Sequence, residues 1–193
     1  MYLVNTMPDI CFVVNTLSQF MVEPRRVHWV AAKHVLRYLC GTVDYGLDYQ
    51  RGDGVHLVGY TDSDWAGCVS DRKSTSGCCF GLGSAVVSWF SWKQKLVDLS
   101  LAEAEYMASS QGSCEALWLC KMLVGLFGVQ LRPTVIYCDN QSCINSRRIQ
   151  FFMTGLSISR FGITSSVIMF REEMWSYSTY LQMNRLQTYS PKH

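Results

Sequence analysis

The sequence predicts an α/β domain, a mixed sheet with helices packed on it, and three observations carry that expectation. An apolar stripe with helical spacing fills Glu23–Gly41. From Val55 the period changes to strand-like alternation, and two helical segments then separate those strands from a last apolar run after Pro133. Strands followed by helices and then another strand suggest such a mixed sheet.

Each element has a local reason. In EPRRVHWVAAKHVLRYLCG, Pro24 suits a first helical turn and Gly41 suits the stop. Val27, Val30, Ala31, Val35, Leu36 and Leu39 form its apolar stripe. Residues about Gly46–Gly54 read as a turn-rich connection. VHLVGYTD reads as a strand and SDRKSTSG, Ser70–Gly77, as a polar loop. CCFGLG and AVVSWFSWKQK read as two more strands joined by a tight turn at Gly83-Ser84. Helices are expected over about Leu101–Gln111 and Cys114–Phe127, and TVIYCD gives the last strand. Beyond Asn145 the patterning fails: Glu172 and Glu173 are the only acidic residues, and serines, methionines and aromatics follow no period. The chain therefore divides into residues 1–54, 55–144 and 145–193.

Composition is that of a globular protein with one ordinary domain. The formal charge is only +2, so attraction to nucleic acid would have to come from local clusters such as Arg25-Arg26, Arg72-Lys73 or Arg147-Arg148. Nine cysteines are an odd number and contain no CxxC pair. Cys78 and Cys79 are vicinal, and Cys138 and Cys143 lack the histidines of a tetrahedral zinc site. Buried thiols in a reducing, intracellular compartment are the expectation. No apolar run reaches membrane-spanning length, and MYLVNTMPDI lacks the pattern of a targeting peptide.

Chemistry would have to come from carboxylates. Asp62 and Asp64 end the first strand on one face, so alternation cannot choose between them. Ser100-x-x-Glu103 has capping-box spacing, which leaves Glu105 freer to project towards the sheet. Asp139, followed by Asn140, ends the last strand. Carboxylates from two strand ends and a helix can meet at one rim of a sheet, where they would repel one another without cations. Hard oxygen ligands suit magnesium or manganese, and two such ions can drive phosphodiester cleavage. Spacing alone favours a plainer reading, in which the aspartates end strands and the glutamates are solvated or capping.

YTDSDWAGCVSDRKSTSGCCF, SWKQKLVDLSLAEAEYMA, EALWL and IYCDNQSCI resemble the ribonuclease H region of copia-type retrotransposon Pol polyproteins. Upstream, residues 1–54 resemble the closing segment of that family's reverse transcriptase. The resemblance runs from Met1 to about Ile144 and implies a ribonuclease H-like five-stranded mixed sheet flanked by helices. It implies metal-dependent hydrolysis of the RNA strand of an RNA–DNA hybrid, with two magnesium ions held by Asp62, Glu105 and Asp139. Arg72, Lys73, Ser74 and Asn140 are the implied nucleic-acid contacts, and Trp65 is expected to be packing. The polymerase's catalytic aspartates would lie before Met1, so DNA synthesis is not expected. A non-catalytic nucleic-acid-binding or interaction module is the alternative.

Past Ile144 the resemblance stops, and the genetic code offers a reason. Arg148–Leu156 can be written AGA ATC CAG TTT TTC ATG ACA GGT CTA. Borrowing the G that ends the preceding arginine codon gives GAG AAT CCA GTT TTT CAT GAC AGG TCT, or ENPVFHDRS. The same shift allows KHIEIRYHFIRDN through Ser157–Met169 and ELQYVSTDEQVADIFTKA through Trp175–His193. These strings resemble the missing end of the family's domain, including a late aspartate in VADIFTK. A nucleotide lost near Asn145 would leave residues 145–193 out of frame, the fold's C-terminal part incomplete, and this copy a decayed fragment with weak activity or none.

Overall fold

Alternation along the chain becomes a sheet of strand order β3-β2-β1-β4-β5, formed by β1 Leu57–Asp64, β2 Thr75–Leu82, β3 Ala85–Lys93, β4 Thr134–Cys138 and β5 Ile168–Glu172. The first three strands pair antiparallel, whereas β4 runs parallel to β1 and β5 parallel to β4. The computed structural model describes residues 2–50, 56–128 and 133–143, and the backbone of 168–172. Arg147-Arg148 and the end of the turn-rich connection lie outside the described residues.

The hairpin forms where the sequence places it. Leu82 pairs with Ala85, so Gly83 and Ser84 are the turn, and Gly83 takes the left-handed φ of 64° that glycine adopts without cost. The loop before it is shorter than expected, because β2 already begins at Thr75. β5 falls within the stretch that has no strand pattern. Edge pairing uses main-chain groups, so a segment can join a sheet without a matching side-chain pattern.

Where two helices were expected, one helix, α1, runs unbroken from Leu101 to Phe127. Its start is capped as the spacing implied: Ser100 Oγ accepts the Glu103 N–H at 3.2 Å. The Glu103 carboxylate reaches one residue further back than a standard box, to the Leu99 N–H at 2.7 Å. Gly128, at φ 62°, closes the other end with its N–H on the Val124 carbonyl. Gly112 does not break the helix. Ala104, Ala108, Gly112 and Ala116 recur every fourth residue on the buried face and let α1 approach the sheet closely. Beyond them Leu119 and Cys120 join Leu57, Cys78, Phe80, Phe90 and Ile136 in the main core.

A Cβ on Gly112 would stand 2.5 Å from Thr61 Cγ2, an atom with little room to retreat. Gly112→Ala should therefore destabilise despite the gain of about 1 kcal/mol that alanine brings to a helix interior, because overpacking costs about 1–3 kcal/mol. Gly125, with nothing within 4 Å of its Cβ position, is the control. Urea denaturation should show Gly125→Ala stabilised and Gly112→Ala not; equal gains at both positions would refute the close approach.

The N-terminal segment adds two helices, α2 Cys11–Ser18 and α3 Arg26–Gly41, after short 3-10 turns at Leu3–Asn5 and Pro8–Ile10. It lies against β3: Trp89 Nε1 donates to the Val4 carbonyl at 2.8 Å, and Asn15 donates to the Ser91 carbonyl. Three expectations are corrected here. Helix α3 starts at Arg26 rather than in the turn holding Pro24, because Arg25 is extended and its N–H is accepted by His28 Nδ1 at 3.1 Å. Its apolar stripe is not core either, since Val27, Val30 and Leu36 are exposed and none of its residues is buried. Trp65, expected in the core, is also exposed, with its indole N–H on the Asp98 carbonyl at 3.4 Å.

Candidate metal centre

Strand β1 alternates cleanly. Leu57, Gly59, Thr61 and Ser63 are buried, whereas Val58, Tyr60 and Asp62 are half-buried and Asp64 is exposed. The buried set faces α1, where Thr61 Oγ1 lies 3.1 Å from Ser109 Oγ. Asp62 and Asp64 share the opposite parity, as alternation required, and differ in depth.

Glu105 sits four residues above Ser109 on α1 and is 2 % exposed. Its Oε1 accepts the Ser63 N–H at 3.0 Å, and the same N–H is 2.8 Å from Asp62 Oδ1. One peptide group of β1 thus touches both carboxylates. Asp139 follows the last residue of β4 and is exposed. Parallel pairing of β1 with β4 brings their C-terminal ends to the same rim. There Glu105, Cys138 and Asp139 each offer a donor atom, all within 4.8 Å of one another. Asp62 is outside this tight group but within its electrostatic reach.

Electrostatics record the crowding. Burial raises the Asp62 carboxyl above the ordinary range, the charges of Asp139 and Asp64 add to the rise, and the Ser63 N–H opposes it. Glu105 is pushed up to about 9 by burial first, then by Cys138, Asp62 and Asp139, against the same opposing N–H. The Cys138 thiol is held well above its usual value by its hydrogen bond with Cys143 and by burial. The ion pair found among the described residues, Lys93–Asp71 at 3.0 Å, involves none of these groups. Carboxyls raised by burial and neighbouring carboxylates gain from a shared cation, and their oxygens suit a hard divalent ion such as Mg²⁺.

The implied nucleic-acid contacts separate. Arg72 is exposed, at φ 56° in a loop closed by its N–H on the Cys68 carbonyl at 2.8 Å, and Lys73 is half-buried. Lys93 holds this loop through Asp71 and through Cys68 Sγ at 2.9 Å. Ser74 is buried, donates to the Asp98 carboxylate and accepts the Ala66 N–H at 3.2 Å, so its hydroxyl is committed to the loop's interior. Asn140 Oδ1 accepts the Cys143 N–H at 2.9 Å and caps the helical turn at 141–143. Sequence reasoning missed two members of the rim, the Ser63 amide and Cys138. For Cys138 a signal existed: Thr134, Ile136 and Cys138 alternate as the buried residues of β4.

No family model matches the chain. Curated relatives do. The Retrovirus-related Pol polyprotein from transposon RE2 of Arabidopsis thaliana is 48% identical over 140 residues, which is 72% of this chain and 10% of that protein. Secreted RxLR effector protein 161 of Plasmopara viticola is 52% identical over 120 residues, 62% of this chain and 84% of that one. The chain belongs to the copia-type Pol polyprotein family. It spans about a tenth of the length of the RE2 polyprotein. Among solved structures, LC11-RNase H1 isolated from compost superposes with a TM-score of 0.45 at 10% identity, covering 69% of this chain and 94% of that one. Among the described residues of this copia-type chain, no helix is long and apolar enough to cross a membrane.

Proposed function

We propose that this copia-type segment is a ribonuclease H-like unit whose chemistry is metal-dependent hydrolysis of the RNA strand of an RNA–DNA hybrid, and that this copy performs it weakly or not at all. The observation that carries the proposal is the convergence of Asp62, Glu105 and Asp139 on the shared rim of β1 and β4. Those three residues would hold two Mg²⁺ ions, which when bound supply an activated water and stabilise the leaving oxygen.

The chain's own contribution is positioning. The Ser63 N–H fixes the Glu105 carboxylate against β1 and touches Asp62 at the same time. The Asn140 cap sets the turn that follows Asp139. Arg72, exposed on its loop, would meet a phosphate backbone. Residues 1–54 are proposed to be the end of the reverse transcriptase, and 145–193 an out-of-frame tail that lacks the domain's last carboxylate. The site of action would be intracellular.

A labelled RNA–DNA hybrid incubated with the chain and Mg²⁺ tests the proposal. Slow cleavage abolished by Asp62→Asn supports it, and so does its absence together with Mg²⁺ binding that Asp62→Asn weakens. Vigorous cleavage would overturn the claim of decay. Salt-dependent hybrid binding with neither cleavage nor Mg²⁺ binding would favour a non-catalytic nucleic-acid-binding module.

A further inference from the structure

We propose that Glu105, Cys138 and Asp139 form a mixed oxygen–sulfur site for a thiophilic divalent cation of the zinc class. The proposal rests on the same convergence of Glu105 and Asp139 as the reading above, but not on nuclease activity. Histidine partners are missing from the sequence around Cys138, and the fold supplies carboxylates in their place.

The geometry suits such an ion. Cys138 Sγ lies 3.8 Å from Glu105 Oε2, and all three donors lie within 4.8 Å of one another. Tetrahedral zinc, with bonds of about 2.0 Å to oxygen and 2.3 Å to sulfur, sets neighbouring oxygen and sulfur ligands about 3.5 Å apart. Cys138 and Glu105 are already close to that spacing, and exposed Asp139 can close the remainder. A second observation points to the same place. Ser63 Oγ, 7 % exposed and facing α1, has no hydrogen-bond partner among the described residues. It belongs to the residue whose amide holds Glu105, so a metal-bound water completing the coordination shell would have a waiting partner.

Donor softness sets the selectivity. Magnesium takes oxygen ligands and gains nothing from a thiol, whereas zinc-class ions bind thiolate strongly. Coordination requires Cys138 to release its proton. The two classes of ion would then compete for Glu105 and Asp139.

Cobalt(II) titrated into the full chain without Mg²⁺ is the test, read as thiolate-to-metal charge-transfer absorption. The expected result is a band saturating at one ion per chain, lost in Cys138→Ser and kept in Asp62→Asn. In Glu105→Gln, half-saturation should need at least about tenfold more cobalt. No band, or a band undiminished in Cys138→Ser, overturns the site. If circular dichroism shows Cys138→Ser unfolded, Glu105→Gln decides, and unchanged half-saturation there overturns it. A band without any Mg²⁺ binding sinks the nuclease reading and leaves this one standing; Mg²⁺ binding without a band does the reverse.

Discussion

On the proposed frameshift after Asn145, restoring the reading frame should raise Mg²⁺-dependent cleavage of an RNA–DNA hybrid on the order of 100-fold over the present chain, the scale on which one transition-state-stabilising group is worth its loss. The restored tail would read ENPVFHDRS, KHIEIRYHFIRDN and ELQYVSTDEQVADIFTKA in place of Arg148–Leu156, Ser157–Met169 and Trp175–His193. Two physical changes accompany it. The late aspartate in VADIFTK would add a carboxylate to a site where the charge of Asp139 already raises both Asp62 and Glu105, so the apo site would become costlier and its cations more tightly held. The tail also regains a sequence selected to fold with its sheet, rather than one whose agreement with the fold is accidental. Steady-state cleavage by the two chains, each with an Asp62→Asn control, is the measurement. Equal rates would show that the tail is not what limits this copy. Genomic and transcript sequencing checks the premise, because codons other than those the shift requires would remove it.

The strands were legible because alternation is local. VHLVGYTD, the Gly83-Ser84 turn and TVIYC each carry their own signal, and β1 to β4 lie within two or three residues of the expected strands, whereas β5 had no signal of its own. What could not be read were the features decided by partners. Gly112 looks like a helix break in sequence, yet it marks the closest approach of α1 to Thr61. The stripe on α3 has the right period for burial, but period does not say whether a second surface will cover it. The N-terminal segment that holds α2 was not expected to be helical, and it lies against β3 with Asn15 donating to the Ser91 carbonyl. At the site, alternation left Asp62 and Asp64 tied, and a difference in burial separates them. Glu103 was correctly set aside as a cap. Cys138 was set aside for want of histidines, because a sequence does not reveal that a helix residue thirty-three positions earlier will face it.

Glu105→Gln should make the metal-free protein more stable at alkaline pH, by on the order of 5 kcal/mol at pH 8, and nearly unchanged at pH 4. The carboxyl titrates near its ordinary 4.5 when unfolded and is pushed up to about 9 in the fold. Between those values the folded chain holds a proton that the unfolded chain has released. Its stability contribution is therefore complete below pH 4.5 and is lost progressively as pH rises through 9. Asp62, also raised, adds a fall of the same sign. Glutamine carries no charge to bury and keeps an oxygen for the Ser63 N–H, so it removes the loss without removing the contact. Urea denaturation at pH 4, 6 and 8 measures it: the gap between variant and native chain should widen with pH, and a constant gap would refute a buried, proton-holding Glu105. Millimolar Mg²⁺ gives the complementary test, because a cation favours the ionised carboxylate. It should stabilise the native chain more at pH 8 than at pH 5, and the glutamine variant much less.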